Sequence, residues 1–131
     1  MSGETHLETL IRSLSAELVE GVFVFVTLPP AQVPEALRPR LRFEEAEGTT
    51  LIVLRSEAEA LSLPYEFESR MITLNIHSSL EAVGFIARIA TALAAQGMGV
   101  NPVSGFYHDH LFVPLGREAE AMEILETLSN S

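Results

Sequence analysis

The chain has 131 residues, 47% of them hydrophobic, which is enough for a packed core in one compact unit or two small ones. Its formal net charge is −10, its eight basic residues are all Arg, and it has no Cys. This composition excludes disulfides, thiol nucleophiles, lysine Schiff bases and P-loop chemistry, and it argues against nucleic acid or an anionic membrane as partner, because phosphate contacts dominate such affinities.

No apolar run approaches the roughly 20 residues needed to span a bilayer. Residues 1–8 are polar and acidic, without the basic start and apolar centre of a signal peptide, so a cytoplasmic location is expected. Leu7, Leu10, Ile11, Leu14 and Leu18 recur at three- and four-residue spacing, which predicts an amphipathic helix over residues 5–20, ended by Gly21. The apolar run 22–28 reads as a buried strand, stopped by Pro29 and Pro30. Pro34 and Pro39 bracket at most two turns of helix. Residues 41–45 and 49–54 read as a hairpin around Ala46-Glu47-Gly48, followed by a short helix over 56–61 and a linker over 64–69.

The second half repeats this rhythm. Residues 71–77 alternate as a strand. Ser78 or Ser79 can cap a helix running to Gln96, with Gly97 and Gly99 ending it. Its predicted apolar stripe is Val83, Ile86, Ala87, Ala90, Leu93 and Ala94, with Phe85 and Ile89 beside it. A helix this apolar needs two surfaces to pack on, which suggests a homodimer. Residues 100–106 and 110–114 pair as a hairpin, and 117–128 form the last helix. The run Leu51-Ile52-Val53-Leu54 leads into Glu57-Ala58, much as Leu111-Phe112-Val113-Pro114 leads into Glu118-Ala119. Strand, helix, hairpin, helix therefore occurs twice, and the chain divides into residues 1–68, an N-terminal helix plus a divergent unit, and 69–131, a second unit.

The hairpin around residues 105–114 carries two of the four His, the only Asp and one of the two Tyr. Polar groups set in an apolar strand pair must be bonded or bound. Three readings stand side by side. Asp109 bonds backbone N–H groups in a turn and orients a His. Alternatively, His108 and His110 share a strand face and hold a metal with His77 or a carboxylate. In the third, Ser78 or Ser104 is a hydrolytic nucleophile with His108 and Asp109, although no nucleophile-elbow pattern surrounds either Ser. The residues leave the role of His108, Asp109 and His110 open.

Strand, helix, strand, strand, helix in about 60 residues fits a ferredoxin-like α+β unit of the βαββαβ type, an antiparallel sheet covered by helices, here in tandem. The segment from Ile72 to Phe85, Ile-Thr-Leu-Asn-Ile-His-Ser-Ser-Leu-Glu-Ala-Val-Gly-Phe, resembles the first strand, loop and helix start of an ACT domain. Gly97-Met98-Gly99-Val100-Asn101-Pro102 resembles its helix end and second strand. Together with Tyr107-His108-Asp109-His110-Leu111-Phe112-Val113-Pro114, these segments are similar to small stand-alone proteins that carry two ACT-like units.

That resemblance implies a non-catalytic regulatory protein that binds a small molecule, most often an amino acid, near the loop after the first strand. No cofactor or metal is implied. By likeness to serine-sensing phosphoglycerate dehydrogenases, His77 matches the His ending the first strand and Asn101 the Asn starting the second. The expected ligand-binding residues are His77, Ser78, Ser79, Leu80, Glu81 and Asn101. Ser78 and Ser79 would offer a helix N-terminus to a carboxylate, and Glu81 would face an ammonium. The loop departs from the family by having Leu80-Glu81-Ala82-Val83-Gly84 where many ACT domains have a Pro-Gly pair. The competing reading is a ligand-free module that docks on a metabolic enzyme, which would leave an apolar patch exposed.

Overall fold

The structure, a computed structural model, describes residues 6–76 and 80–130. In chain order its elements are α1 (Leu7–Arg12), β1 (Ala16–Leu18), β2 (Phe23–Leu28), β3 (Leu41–Glu45), β4 (Gly48–Leu54), α2 (Arg55–Ala60), β5 (Glu66–Leu74), α3 (Phe85–Ala94), β6 (Asn101–Ser104), β7 (Asp109–Pro114) and α4 (Glu118–Asn130). Packing groups them into two units. One is Gly21–Ser69; the other joins the residues up to Glu20 with those from Arg70 onward.

In the Gly21–Ser69 unit the strand order is β3-β4-β2-β5, all antiparallel. Val24 and Val26 of β2 and Leu51 and Val53 of β4 point to one face, where they bury with Leu37 and Ala58 of α2. That period-two burial follows from the strand pleat. The helix expected between Pro34 and Pro39 is absent. A 3-10 turn at Pro30–Gln32 and a turn in which Leu37 N–H donates to the Pro34 carbonyl take its place. Three prolines in ten residues remove donors and bias their neighbours away from helix.

The predicted linker is also strand, because β5 begins at Glu66 and its first residues pair with β2. Phe23 faces Ser69 and Phe25 faces Glu66, so β5 carries one extra residue there, a bulge. Phe67 takes φ 58° at this point, and its ring leans on Phe25 at 5.7 Å between centroids.

The second unit has the order β1-β5-β7-β6. By chain order its first three strands are β5, β6 and β7, and the fourth position is filled by β1 from the N-terminus. The predicted helix over 5–20 therefore stops at Arg12. Ala16, Glu17 and Leu18 instead pair antiparallel with Leu74, Thr73 and Ile72. Backbone partners offered by β5 override a helical leucine spacing that a strand also satisfies at Ala16 and Leu18. The division at 68/69 put the N-terminal helix with the first unit, whereas packing puts Leu10, Ile11 and Leu14 in the core of the second, with Ile72, Leu74 and Ile89.

The helix expected from Ser78 or Ser79 starts later, at Phe85, after Gly84 at φ 91°. Its buried face is Phe85, Ile89 and Leu93: two residues placed beside the predicted stripe and one from within it. Val83, Ala87 and Ala94, expected in that stripe, are exposed.

Candidate ligand-binding site

Asp109, Leu111 and Val113 alternate along β7, and Leu111 and Val113 bury against the helices. The same parity turns Asp109 toward α3 and turns His110 and Phe112 to the other face. Asp109 is 7% exposed and accepts a 2.7 Å hydrogen bond from the hydroxyl of Ser104, its partner across the hairpin.

Above this pair lies the start of α3. Gly84 has no side chain to cap it, and the first turn of the helix has no acid. Arg88 N–H makes a helical bond back to the Gly84 carbonyl. The N–H groups of Phe85, Ile86 and Ala87 precede that bond, so the helix itself offers them no acceptor, and its dipole makes this end attractive to an anion. The helix end and Asp109 line one cavity of about 270 Å³, together with Leu80, Ala82, Ser104 and Gly105. A larger groove of about 580 Å³ runs between Leu14–Ala16 and α4, but its charged lining is Glu123 and Glu126 only. It offers a carboxylate no cation and no helix N-terminus free of acids, so the smaller cavity at the start of α3 is the candidate.

Of the six expected site residues, His77, Ser78 and Ser79 lie outside the described residues. Leu80 lines the cavity and is 63% exposed. Glu81 sits in a turn four residues before the helix, not in its first turn, and is exposed. Asn101 pairs with Phe112, which places it on the sheet face away from α3 and from the cavity. The expectation that Asn101 joins the helix entrance thus meets a sheet in between.

Asp109 opens β7 rather than sitting in the turn; the turn is Gly105–His108, closed by Gly105 N–H donating to the His108 carbonyl at 2.9 Å. His110 Nδ1 lies 3.0 Å from the Thr73 hydroxyl, and the His108 and His110 rings are 6.5 Å apart. The hydrolase reading needs an imidazole between Ser and Asp. Here the Ser104 hydroxyl goes to Asp109 directly. Among the described residues no group of three or more His, Asp or Glu side chains is placed to hold a metal ion. None of their helices is long and apolar enough to cross a membrane.

Sequence reasoning missed Ser104, Gly105 and Asp109 as parts of one cavity. The signal was present: Asp109 shares the parity of Leu111 and Val113, which assigns it to the core side of the strand.

An ACT domain model matches residues 2–70, and a second ACT domain model matches residues 66–127. A crystal structure from Vibrio cholerae, of a protein of unknown function described as a possible transport protein, is 36% identical over 94% of this chain and 95% of its own, with a TM-score of 0.84. A structure from Agrobacterium tumefaciens is 13% identical over 88% of this chain and 89% of its own, with a TM-score of 0.75. A putative C-terminal regulatory domain of aspartate kinase from Porphyromonas gingivalis is 15% identical over 91% and 97%, with a TM-score of 0.56. The last two likenesses concern the fold. No curated protein matches. Two consecutive domain matches that together span nearly the whole chain, on strands that follow the ferredoxin-like order in each unit, place this chain in the ACT domain family as a tandem of two such domains.

Proposed function

We propose that this is a non-catalytic regulatory protein that binds an amino acid in the cavity at the N-terminal end of α3. The carrying observation is that this helix end, with Gly84 at its N-cap, opens into a cavity of about 270 Å³. That volume lies just below the range of about 300–1,000 Å³ usual for drug-sized ligands, so it suits a small one. Membership of the ACT family supports the regulatory role and the ligand class. His77, Ser78 and Ser79, which precede Leu80 in the sequence, belong to the proposed site. The place of action proposed is the cytoplasm.

The screen that tests this reading is thermal unfolding of the purified protein against the twenty amino acids. A ligand bound only by the folded state at about 100 times its Kd adds about 2.7 kcal/mol of stability. A rise in Tm with one or a few amino acids is expected. No rise with any of them would refute the reading.

One observation favours docking as a second role. Leu80 and Val83 on the loop before α3, and Phe106 and Tyr107 on the hairpin tip, are 63%, 82%, 62% and 63% exposed. Their two loops line the cavity through Leu80 and Gly105. A second copy of the chain, or an enzyme under its control, would bury this rim. Light scattering with and without the binding amino acid tests for the second copy.

A further inference from the structure

We propose that the Gly21–Ser69 unit holds a second small-molecule site, for a primary ammonium on a short apolar body, in the notch where β2 runs on past the start of β5, with Glu66 as its counter-ion. The site shares no residue with the cavity at the start of α3, and it goes beyond the amino-acid reading.

The notch follows from Pro64. β2 pairs with β4 along its whole length, from Phe23 to Leu28. On its other side the pairing with β5 ends at Phe25, opposite Glu66. In that register the next ladder bonds would join Thr27 to Pro64. Toward β4, the Val22 carbonyl accepts from Arg55 N–H; toward β5, the Phe23 carbonyl accepts from the Ser69 hydroxyl. Backbone groups alternate in direction along an antiparallel strand, so those of Thr27 turn to the β5 side, as those of Phe23 do. Pro64 has no N–H to give the Thr27 carbonyl, and the ladder stops. A cavity of about 370 Å³ opens there, lined by residues 25–27 and 64–66 with Thr50. That volume falls within the range of about 300–1,000 Å³ usual for small-molecule sites.

The lining carries one charged group, and it is negative. Glu66 has no ion-pair partner among the described residues. The acids of the neighbouring elements are already engaged: the Thr50 hydroxyl donates to Glu45, the Tyr65 hydroxyl to Glu59 at 3.1 Å, and Arg55 to Glu68 at 2.8 Å. No Arg lines the cavity, so a cation that enters meets Glu66 without displacing one. An ammonium has three N–H donors and no acceptor, which suits the Glu66 carboxylate and the Thr27 carbonyl.

Phe25, Val26 and Tyr65 supply the apolar wall. The bond to Glu59 holds the Tyr65 ring, and the Phe67 ring leans on Phe25 at 5.7 Å. Phe67 adopts φ 58°, which is costly for a bulky side chain. The bulge that imposes it sets Glu66 and Phe67 beside the same Phe25 ring. Aromatic walls favour a cation over a neutral group of the same shape.

The test is an amide NMR titration of the intact protein at neutral pH and low salt. The probes are benzylammonium and butylammonium chlorides, and the matching alcohols carry the same bodies without the charge. Saturable shifts are expected at the amides of residues 25–27, 65 and 66, with the ammonium bound at least about fivefold more tightly than its alcohol. Glu66 is exposed, so Glu66→Gln removes the charge without disturbing a core, and it should erase that preference. Glu47→Gln removes the same charge at the β3–β4 turn and should leave it intact, which separates a site from general attraction to a chain of net charge −10. Equal binding of ammonium and alcohol would overturn the proposal. So would a preference that survives Glu66→Gln or is lost equally in Glu47→Gln, or the absence of saturable shifts at those amides. Amino-acid binding is judged at residues 80–87 and 104–109 instead, so either reading can fail alone.

Discussion

The second unit should not fold from its own contiguous sequence. Its fourth strand is β1 and part of its core is α1, so a fragment of residues 66–131 lacks both. Leu10, Ile11 and Leu14 are 0%, 3% and 7% exposed in the intact chain. Burying such a side chain contributes about 1.5–3 kcal/mol, so the three together contribute about 5–9 kcal/mol. That is an upper range, because unfolded chains already bury some apolar surface. A small domain is stable by only about 5–15 kcal/mol in total, so the loss takes most or all of it. The fragment would also leave the β1-facing edge of β5 without its partners at residues 72–74. The assay is urea unfolding followed by far-UV circular dichroism, on the intact chain, on the fragment, and on the fragment with a peptide of residues 6–20 added. No cooperative transition is expected for the fragment alone, and the peptide should restore one. A fragment that unfolds cooperatively at the midpoint of the intact chain would refute the assignment of the N-terminal residues to this unit.

Three further outcomes are expected. Ser104→Ala takes a hydroxyl from the buried Asp109 carboxylate, and should lower stability by about 1–3 kcal/mol in urea unfolding. Gly48→Ala puts a Cβ 2.9 Å from Thr27 Oγ1 and 3.3 Å from the Leu28 carbonyl oxygen; a cost of about 1–3 kcal/mol is expected, and an unchanged urea midpoint would show that the hairpin can shift. Glu118 bonds its own backbone N–H, the Gly116 N–H at 2.7 Å and Arg70 at 3.2 Å, which holds its carboxyl below the ordinary value near 4.5. A folded pKa below the unfolded one gives stability that is present above about pH 4.5 and lost as the pH falls through the folded value. The loss of stability between pH 7 and pH 3 should therefore be smaller in Glu118→Gln than in wild type.

The candidate site was half legible. The strand-loop-helix junction could be found from residues 72–85, because a strand followed by a small, polar loop and an apolar helix leaves few other arrangements. What moved was the helix start. Leu80, Glu81, Ala82 and Val83 are all compatible with helix in isolation, and Gly84 at φ 91° sets the true beginning, five residues beyond Ser79. Glu81 left the first turn as a result. Asn101 follows a different rule: strand parity and its pairing with Phe112 put it on the sheet face opposite Asp109.

The sequence by itself determined the class of the protein. Apolar periodicity, the turn residues and the duplicated order of elements are local properties, and they specified two ferredoxin-like units and the positions of β2, β3, β4 and β7; the residue motifs at 72–85, 97–102 and 107–114 carried the ACT resemblance. Tertiary structure alone decided which segment completes which unit. Residues 16–18 satisfy either a helix or a strand by their own pattern, and only the unpaired edge of β5 makes the strand the lower in free energy. It also decided that Asp109 meets the N-terminal end of α3 in one cavity, because that meeting joins residues some 25 positions apart through sheet parity and helix packing, which no local pattern encodes.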